Sequence, residues 1–148
     1  MLQDALLAYL HFGLILALSG MLFSEVMLYR QEMERSAFAL LARIDAWYGA
    51  IAGLVAASGV SRVLWGVKGY AYYLHNPVFW TKISLFLTVA LLSIPPTIHY
   101  IRLRNTQPGT GPVKVEAGTY RMTRVLLTAQ VVILLIIPLL AVLMARGI

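Results

Sequence analysis

The sequence predicts an all-α integral membrane protein: a four-transmembrane-helix bundle with a short amphipathic helix between helices one and two. Three observations carry this expectation. Of the 148 residues 60% are hydrophobic and only 12% charged, with a mean hydropathy of +0.79, whereas a soluble domain is about half apolar and about a quarter charged. Four apolar runs, Ala5 to Leu28, Ile44 to Trp65, Val78 to Ile101 and Val125 to Ala145, each reach the ~20 residues that cross ~30 Å of hydrocarbon at ~1.5 Å per residue. Lipid offers the backbone no hydrogen-bond partner, so runs of this kind must be helical. The helices are expected over about 5–28, 44–65, 77–103 and 121–145, with a polar loop at 104–119, in a single membrane domain 1–148.

In the first helix, MLQDALLAYLHF has no basic stretch and no small-residue cleavage site, so the segment is expected to be a retained helix and not a signal peptide. His11 and Glu25 are close to a whole number of turns apart and share a face. Gly13, Ala17, Gly20 and Ser24 make a second, small-residue stripe suited to close helix packing. The segment Arg30 to Arg43 mixes charges with Met33, Ala37, Leu40 and Leu41 at helical spacing. It predicts an amphipathic surface helix, with Glu32, Glu34 and Arg35 on its solvated side.

The second helix opens with Asp45, read as a helix cap, and carries Gly49, Gly53 and Ala57 every four residues, a small-residue seam for a neighbouring helix. Between the second and third runs, Gly59 to Ser84 places Arg62, Lys68, His75 and Lys82 among Trp65, Tyr70, Tyr72, Tyr73, Phe79 and Trp80. Such rings settle at the headgroup level while long cations send their charge to water, which predicts a turn at the membrane surface. Asn76-Pro77 starts the third helix with a cap residue and a proline at the first helical position. Pro95-Pro96 removes two backbone donors, so carbonyls near Leu91 and Leu92 lose their usual partners and a kink is expected. Arg102 to Gly118, rich in glycine and proline, predicts a mobile loop. Tyr120, Arg121 and Arg124 anchor the fourth helix, interrupted only by Gln130 and Pro138.

Cations set the orientation. Arg30, Arg35, Arg43, Arg102, Arg104, Lys114, Arg121 and Arg124 lie on one side, against Arg62, Lys68, Lys82 and Arg146 on the other. The positive-inside rule then puts the two longer loops in the cytoplasm and both termini outside. The net charge of +6 is explained by topology and anionic lipid, not by nucleic acid. The absence of cysteine removes disulfides, thiol catalysis and thiolate metal sites, and no zinc spacing, triad signature or phosphate-binding glycine loop is present.

The stretches AYLHFG, LLARIDAWYG, SGVSRVLWGVKGYAYYLHNPVFWTKISLF and SIPPTIHYIR resemble bacterial predicted membrane proteins known as domain of unknown function family 2214. That resemblance implies the fold and a location in the bacterial inner membrane, with no activity attached. A more distant likeness is to HemJ-type protoporphyrinogen oxidases and CopD-like membrane proteins. His11 matches the histidine of their first helix, Gly20 to Phe23 resembles their GLF stretch, and Lys82 matches a lysine early in a later helix. This likeness implies haem b and redox chemistry.

Depth along the helices groups the ionisable residues into two clusters. His11, Arg62 and Lys82 fall at similar depth near the outer side, a candidate pocket for a haem propionate or a small anionic ligand. Glu25 and His99, with Tyr29, Asp45 and Arg102, form a candidate group near the other side. His99 lies about 22 residues along its helix, so it sits roughly 20 Å or more from His11 and the two cannot share one haem. Three functions follow as expectations: a haem b-binding redox protein, a small oligomeric transporter or binder of an anionic metabolite, and a non-enzymatic scaffold subunit. Whether the chain is an enzyme is left open. Its partners are the lipid bilayer and further copies of itself, with no nucleic acid and no metal site.

Overall fold

The computed structural model describes residues 1–147. Its order is α1 (Leu2–Leu28), β1 (Glu32–Met33), α2 (Arg35–Trp65), α3 (Gly69–Leu74), α4 (Pro77–Thr106), β2 (Val113–Lys114) and α5 (Ala117–Ala145). The four long helices are each long and apolar enough to span a membrane. They form an all-α bundle in which α1 packs along α2 and α5, α4 packs along α5, and α2 touches α4 more lightly. One end carries the start of α1, the end of α2, the short α3 and the end of α5, and is called the terminal face below. The other end carries the two-stranded ladder and is called the ladder face.

Buried side chains follow one stripe per helix: Leu18, Leu22 and Glu25 on α1, Phe38, Leu41, Asp45, Tyr48, Val55 and Ser58 on α2, Val89, Pro96, Tyr100 and Leu103 on α4, and Thr123, Leu127, Gln130 and Leu134 on α5. Outside those stripes the surface is apolar, with Leu16, Trp47, Leu91 and Leu135 all exposed. That is the arrangement a bilayer requires, since lipid solvates apolar side chains but not polar ones.

The stretch expected to form a separate amphipathic helix is helical from Arg35 on, but it is the first part of α2, continuous through Asp45 to Trp65. Nothing between Arg35 and Asp45 breaks a helix, and Phe38 and Leu41 point the same way as Asp45 and Tyr48 into the core. Asp45 is therefore not a cap. The expected mobile loop is instead pinned. Glu32 pairs with Lys114 and Met33 with Val113 in an antiparallel ladder, and Val115 N–H donates to the Gln31 carbonyl at 2.8 Å. Gln107 holds both sides of Lys114, donating to its carbonyl at 2.7 Å and accepting from its N–H at 3.0 Å. Arg35 is no mere solvated charge: its guanidinium donates to the carbonyls of Gln107 at 2.7 Å and Gly111 at 3.0 Å.

The small-residue stripes point the other way from the expectation. Gly13, Gly20, Gly49 and Gly53 would each accept a Cβ with nothing within 4 Å, and Ala17 and Ala57 are exposed. They lie on the outer surface of the bundle, because the larger Leu18, Leu22, Tyr48 and Val55 take the interior. Gly59 is the exception; a Cβ there would sit 3.4 Å from His11 Cε1, so α1 and α2 approach closely at the terminal face. Asn76 caps α4 as expected, its side-chain oxygen accepting from Val78 N–H at 2.9 Å with proline beside it.

Candidate functional site

The polar side chains of the interior fall in two layers. The larger lies in the ladder-face half and begins with Asp45 on α2, placed inside by the stripe that also buries Leu41 and Tyr48. Its Oδ1 accepts from Thr97 Oγ1 on α4 at 2.9 Å. One turn on, Tyr48 donates to Gln130 Oε1 on α5 at 3.1 Å. Gln130, 1% exposed, donates in turn to the Leu92 carbonyl at 3.3 Å and to its own helix at Leu126 at 3.3 Å. Leu92 is four residues before Pro96, which has no N–H to offer it. Gln130 thus supplies from α5 the donor that the proline withholds, and α4 stays helical through both prolines.

Glu25 on α1 completes this layer. It is 1% exposed, Tyr100 of α4 donates to its Oε2 at 3.4 Å, and its Oε1 is buried with no partner among the described residues. Asp45 stands near enough to act on it electrostatically. Arg124 does not neutralise it: that guanidinium donates to the backbone carbonyls of Val26 at 2.7 Å and Tyr29 at 3.5 Å, closing the end of α1. Toward the ladder face, Tyr29 OH and His99 Nε2 lie 3.0 Å apart, and the Tyr29 ring stacks on Tyr120 at 5.3 Å. Tyr29 follows the last residue of α1, and burial pushes its phenol above the ordinary value.

The second layer is at the terminal face. His11 Nδ1 is 2.8 Å from Ser58 Oγ, and Ser58 donates its own hydrogen to the Val55 carbonyl at 2.9 Å. Ser58 has one hydroxyl hydrogen for two neighbours, and the arrangement that satisfies all three groups gives it to the Val55 carbonyl, with the His11 proton assigned to Nδ1 and Nε2 as acceptor. The Arg62 guanidinium carbon lies 5.4 Å from the centre of the Phe12 ring, and Arg62 Nε is buried without a partner among the described residues. Half-buried Lys82 acts electrostatically on His11, as does Arg62. Between the two layers every spanning helix contributes buried apolar side chains: Leu18 and Leu22 of α1, Val55 of α2, Val89 of α4 and Leu134 of α5.

The structure therefore draws His11, Arg62 and Lys82 toward one another at the terminal face, and Glu25 and Asp45 toward one another in the ladder half. His99 bonds Tyr29 instead of joining Glu25, and Arg102 is exposed. Ser58, Tyr100, Thr97 and the pairing of Tyr48 with Gln130 do not stand out in the sequence as site residues. A signal for Gln130 was present, since an amide alone in an apolar run needs a partner, but the identity of the partner depends on a proline in another helix.

The His11 ring has Nδ1 engaged by Ser58 and its Cε1 edge close to Gly59 of α2. Two surface recesses lie elsewhere, one along Arg124, Thr128 and Val132 and one beside Tyr72, Asn76 and Pro77. Among the described residues no group of three or more histidine, cysteine or carboxylate side chains could hold a metal ion.

A family model described as "Predicted membrane protein (DUF2214)" matches residues 3–148. Neither a curated protein nor a solved structure matches the chain.

Proposed function

The chain belongs to the predicted membrane proteins of domain of unknown function family 2214, and we propose that it is a proton-binding member whose working group is Glu25 beside Asp45. The observation that carries this reading is the orphaned Glu25 Oε1, on a side chain 1% exposed inside a membrane bundle. A bare carboxylate without water, cation or full set of donors is among the most costly groups to bury. A second carboxylate nearby raises that cost. A proton on Glu25 removes it and turns an orphan acceptor into a potential donor. Tyr100 holds the other oxygen, and the rings of Tyr100, Tyr29 and His99 lie within 6 Å of one another, centre to centre, on the way to the ladder face. The layer of Leu18, Leu22, Val55, Val89 and Leu134 separates this centre from the terminal face, so protons reach it from the ladder side.

In this reading the protein sits in a bacterial cytoplasmic membrane with both termini outside, and copies associate through the exposed glycine faces of α1 and α2. Infrared spectroscopy of the purified protein tests the central claim. A protonated-carboxyl stretch should be present and should disappear in Glu25→Gln, while Asp4→Asn leaves it in place. A wild-type spectrum without that band, or one unchanged in Glu25→Gln, overturns the reading.

A further inference from the structure

We propose that Arg62, Lys82 and His11 form a binding site for a phosphate group that carries or adjoins a hydroxyl, at the terminal face of the bundle. The site is separate from Glu25, with the apolar layer between them, and stands or falls independently.

The argument starts from charge accounting. The chain has six carboxylate residues, and Glu25, Glu32, Glu34, Asp45 and Glu116 belong to the ladder half or the ladder face. Among the described residues Asp4 alone lies at the terminal face, where its Oδ1 accepts from Val67 N–H at 3.3 Å and helps close the end of α2. Two cations, one on α2 and one on α4, thus come together inside spanning helices, and among the described residues the one carboxylate at that end is engaged by the Val67 N–H. Two like charges at one depth in a membrane protein are costly unless a counter-ion is shared.

Other cations of the chain show what a satisfied one looks like here. Arg35 and Arg124 each donate to two backbone carbonyls, and Lys68 lies over the Tyr72 ring with its ammonium 3.4 Å from the hydroxyl. Arg62 is different. Its guanidinium carbon lies 5.4 Å from the centre of the Phe12 ring, and Nε is buried with no partner among the described residues. A planar fork with an unused Nε is suited to a tetrahedral oxyanion that offers two oxygens side by side. Lys82 supplies a point charge from the opposite helix.

His11 narrows the chemistry. With its proton on Nδ1 and given to Ser58, its Nε2 accepts a hydrogen bond and cannot donate to an anion. A ligand that satisfies all three residues presents phosphate oxygens to Arg62 and Lys82 and a hydroxyl to His11. A phosphatidylglycerol headgroup does this with its glycerol hydroxyl, and inorganic phosphate with its P–OH. The exposed Trp65, Tyr70 and Trp80 around the site mark the headgroup level from which a lipid would enter.

Two arms separate these sources. In the first, protein purified in a neutral detergent is mixed with phosphatidylglycerol and phosphatidylcholine and examined by native mass spectrometry. In the second, delipidated protein is titrated with inorganic phosphate while its thermal unfolding is followed. Arg62→Lys, which keeps the charge but loses the fork, and Lys82→Gln are compared with wild type in both. Retention of phosphatidylglycerol over phosphatidylcholine, reduced about tenfold by either variant, supports the site with lipid as its source. A phosphate-dependent rise in unfolding temperature that either variant abolishes supports it with free phosphate. If wild type shows neither response, or both variants respond as wild type does, the proposal is wrong.

Discussion

Gln130 shows how much can rest on one side chain in a membrane interior. It joins Tyr48 of α2 to the Leu92 carbonyl of α4 from its own place on α5, so a single amide ties three helices. Interhelical hydrogen bonds in bilayers average only ~0.6 kcal/mol each, but a carbonyl left unpaired beside a proline has no water to turn to. Gln130→Leu should therefore lower stability by about 1–2 kcal/mol, measured by unfolding in mixed micelles, while Val132→Ala on the exposed face of the same helix changes it little. A drop in the control as large as that in Gln130→Leu would show that the amide has no special role. Glu25 and His11 were legible in the sequence as ionisable residues in apolar runs, and their shared face on α1 is seen. What they touch was not legible. Ser58 and Tyr100 come from other helices, and a periodicity records which way a side chain faces without recording what faces it. Haem added to the protein probes the His11 position directly: a Soret band that His11→Ala removes would place a porphyrin there and displace the phosphate assignment.

At the scale of elements, the spanning helices could be read from hydropathy because the bilayer sets their length, and Asn76-Pro77 could be read because cap and proline act locally. The ladder could not. Two residues per strand carry no pattern, and Glu32–Met33 and Val113–Lys114 lie far apart in the chain. Their pairing depends on Arg35 and Gln107, charged and polar residues that a local reading assigns to solvent. Arg35→Ala should leave the four long helices protected against hydrogen exchange while amides between 107 and 115 exchange at least tenfold faster. Unchanged protection in that segment would mean that the ladder and Gln107 hold it without the guanidinium. Helix contacts were misread for a related reason. Small residues every four positions mark a surface that permits close approach, but composition does not say whether the approaching helix is in the same chain. Gly59, outside that repeat, is where α2 meets α1. Gly59→Leu should push the helices apart at the terminal face and break the His11 contact with Ser58, lowering thermal stability, whereas Gly49→Leu should not destabilise the monomer. Equal losses in the two variants would contradict the packing described.

The whole molecule divides into two polar layers with an apolar layer between them, and its charge is divided as unevenly as its chemistry. The ladder face and adjoining helix ends hold Arg30, Arg35, Arg43, Arg102, Arg104, Lys114, Arg121 and Arg124, while the terminal half holds Arg62, Lys68, Lys82 and Arg146. Lys and Arg close to spanning helices resist translocation, and the proposed orientation, with the richer face in the cytoplasm, rests on that rule. Lys82 and Arg62 are half-buried inside spanning helices rather than free in a loop, which leaves Lys68 and Arg146 as the Lys and Arg side chains beyond the long helices on the terminal face, among the described residues. The absence of cysteine makes the orientation measurable without altering a native thiol. Tyr70→Cys, on the exposed side of α3, and Thr110→Cys, in the exposed turn before β2, report the two faces. In intact cells a membrane-impermeant maleimide should label Tyr70→Cys and spare Thr110→Cys, and permeabilisation should make both reactive. The reverse pattern would invert the orientation, exposing the Glu25 layer to the outside and moving the phosphate site to the cytoplasmic leaflet. Labelling of both positions in intact cells would mean that the chain inserts in two orientations, which an eight-to-four imbalance of cations opposes.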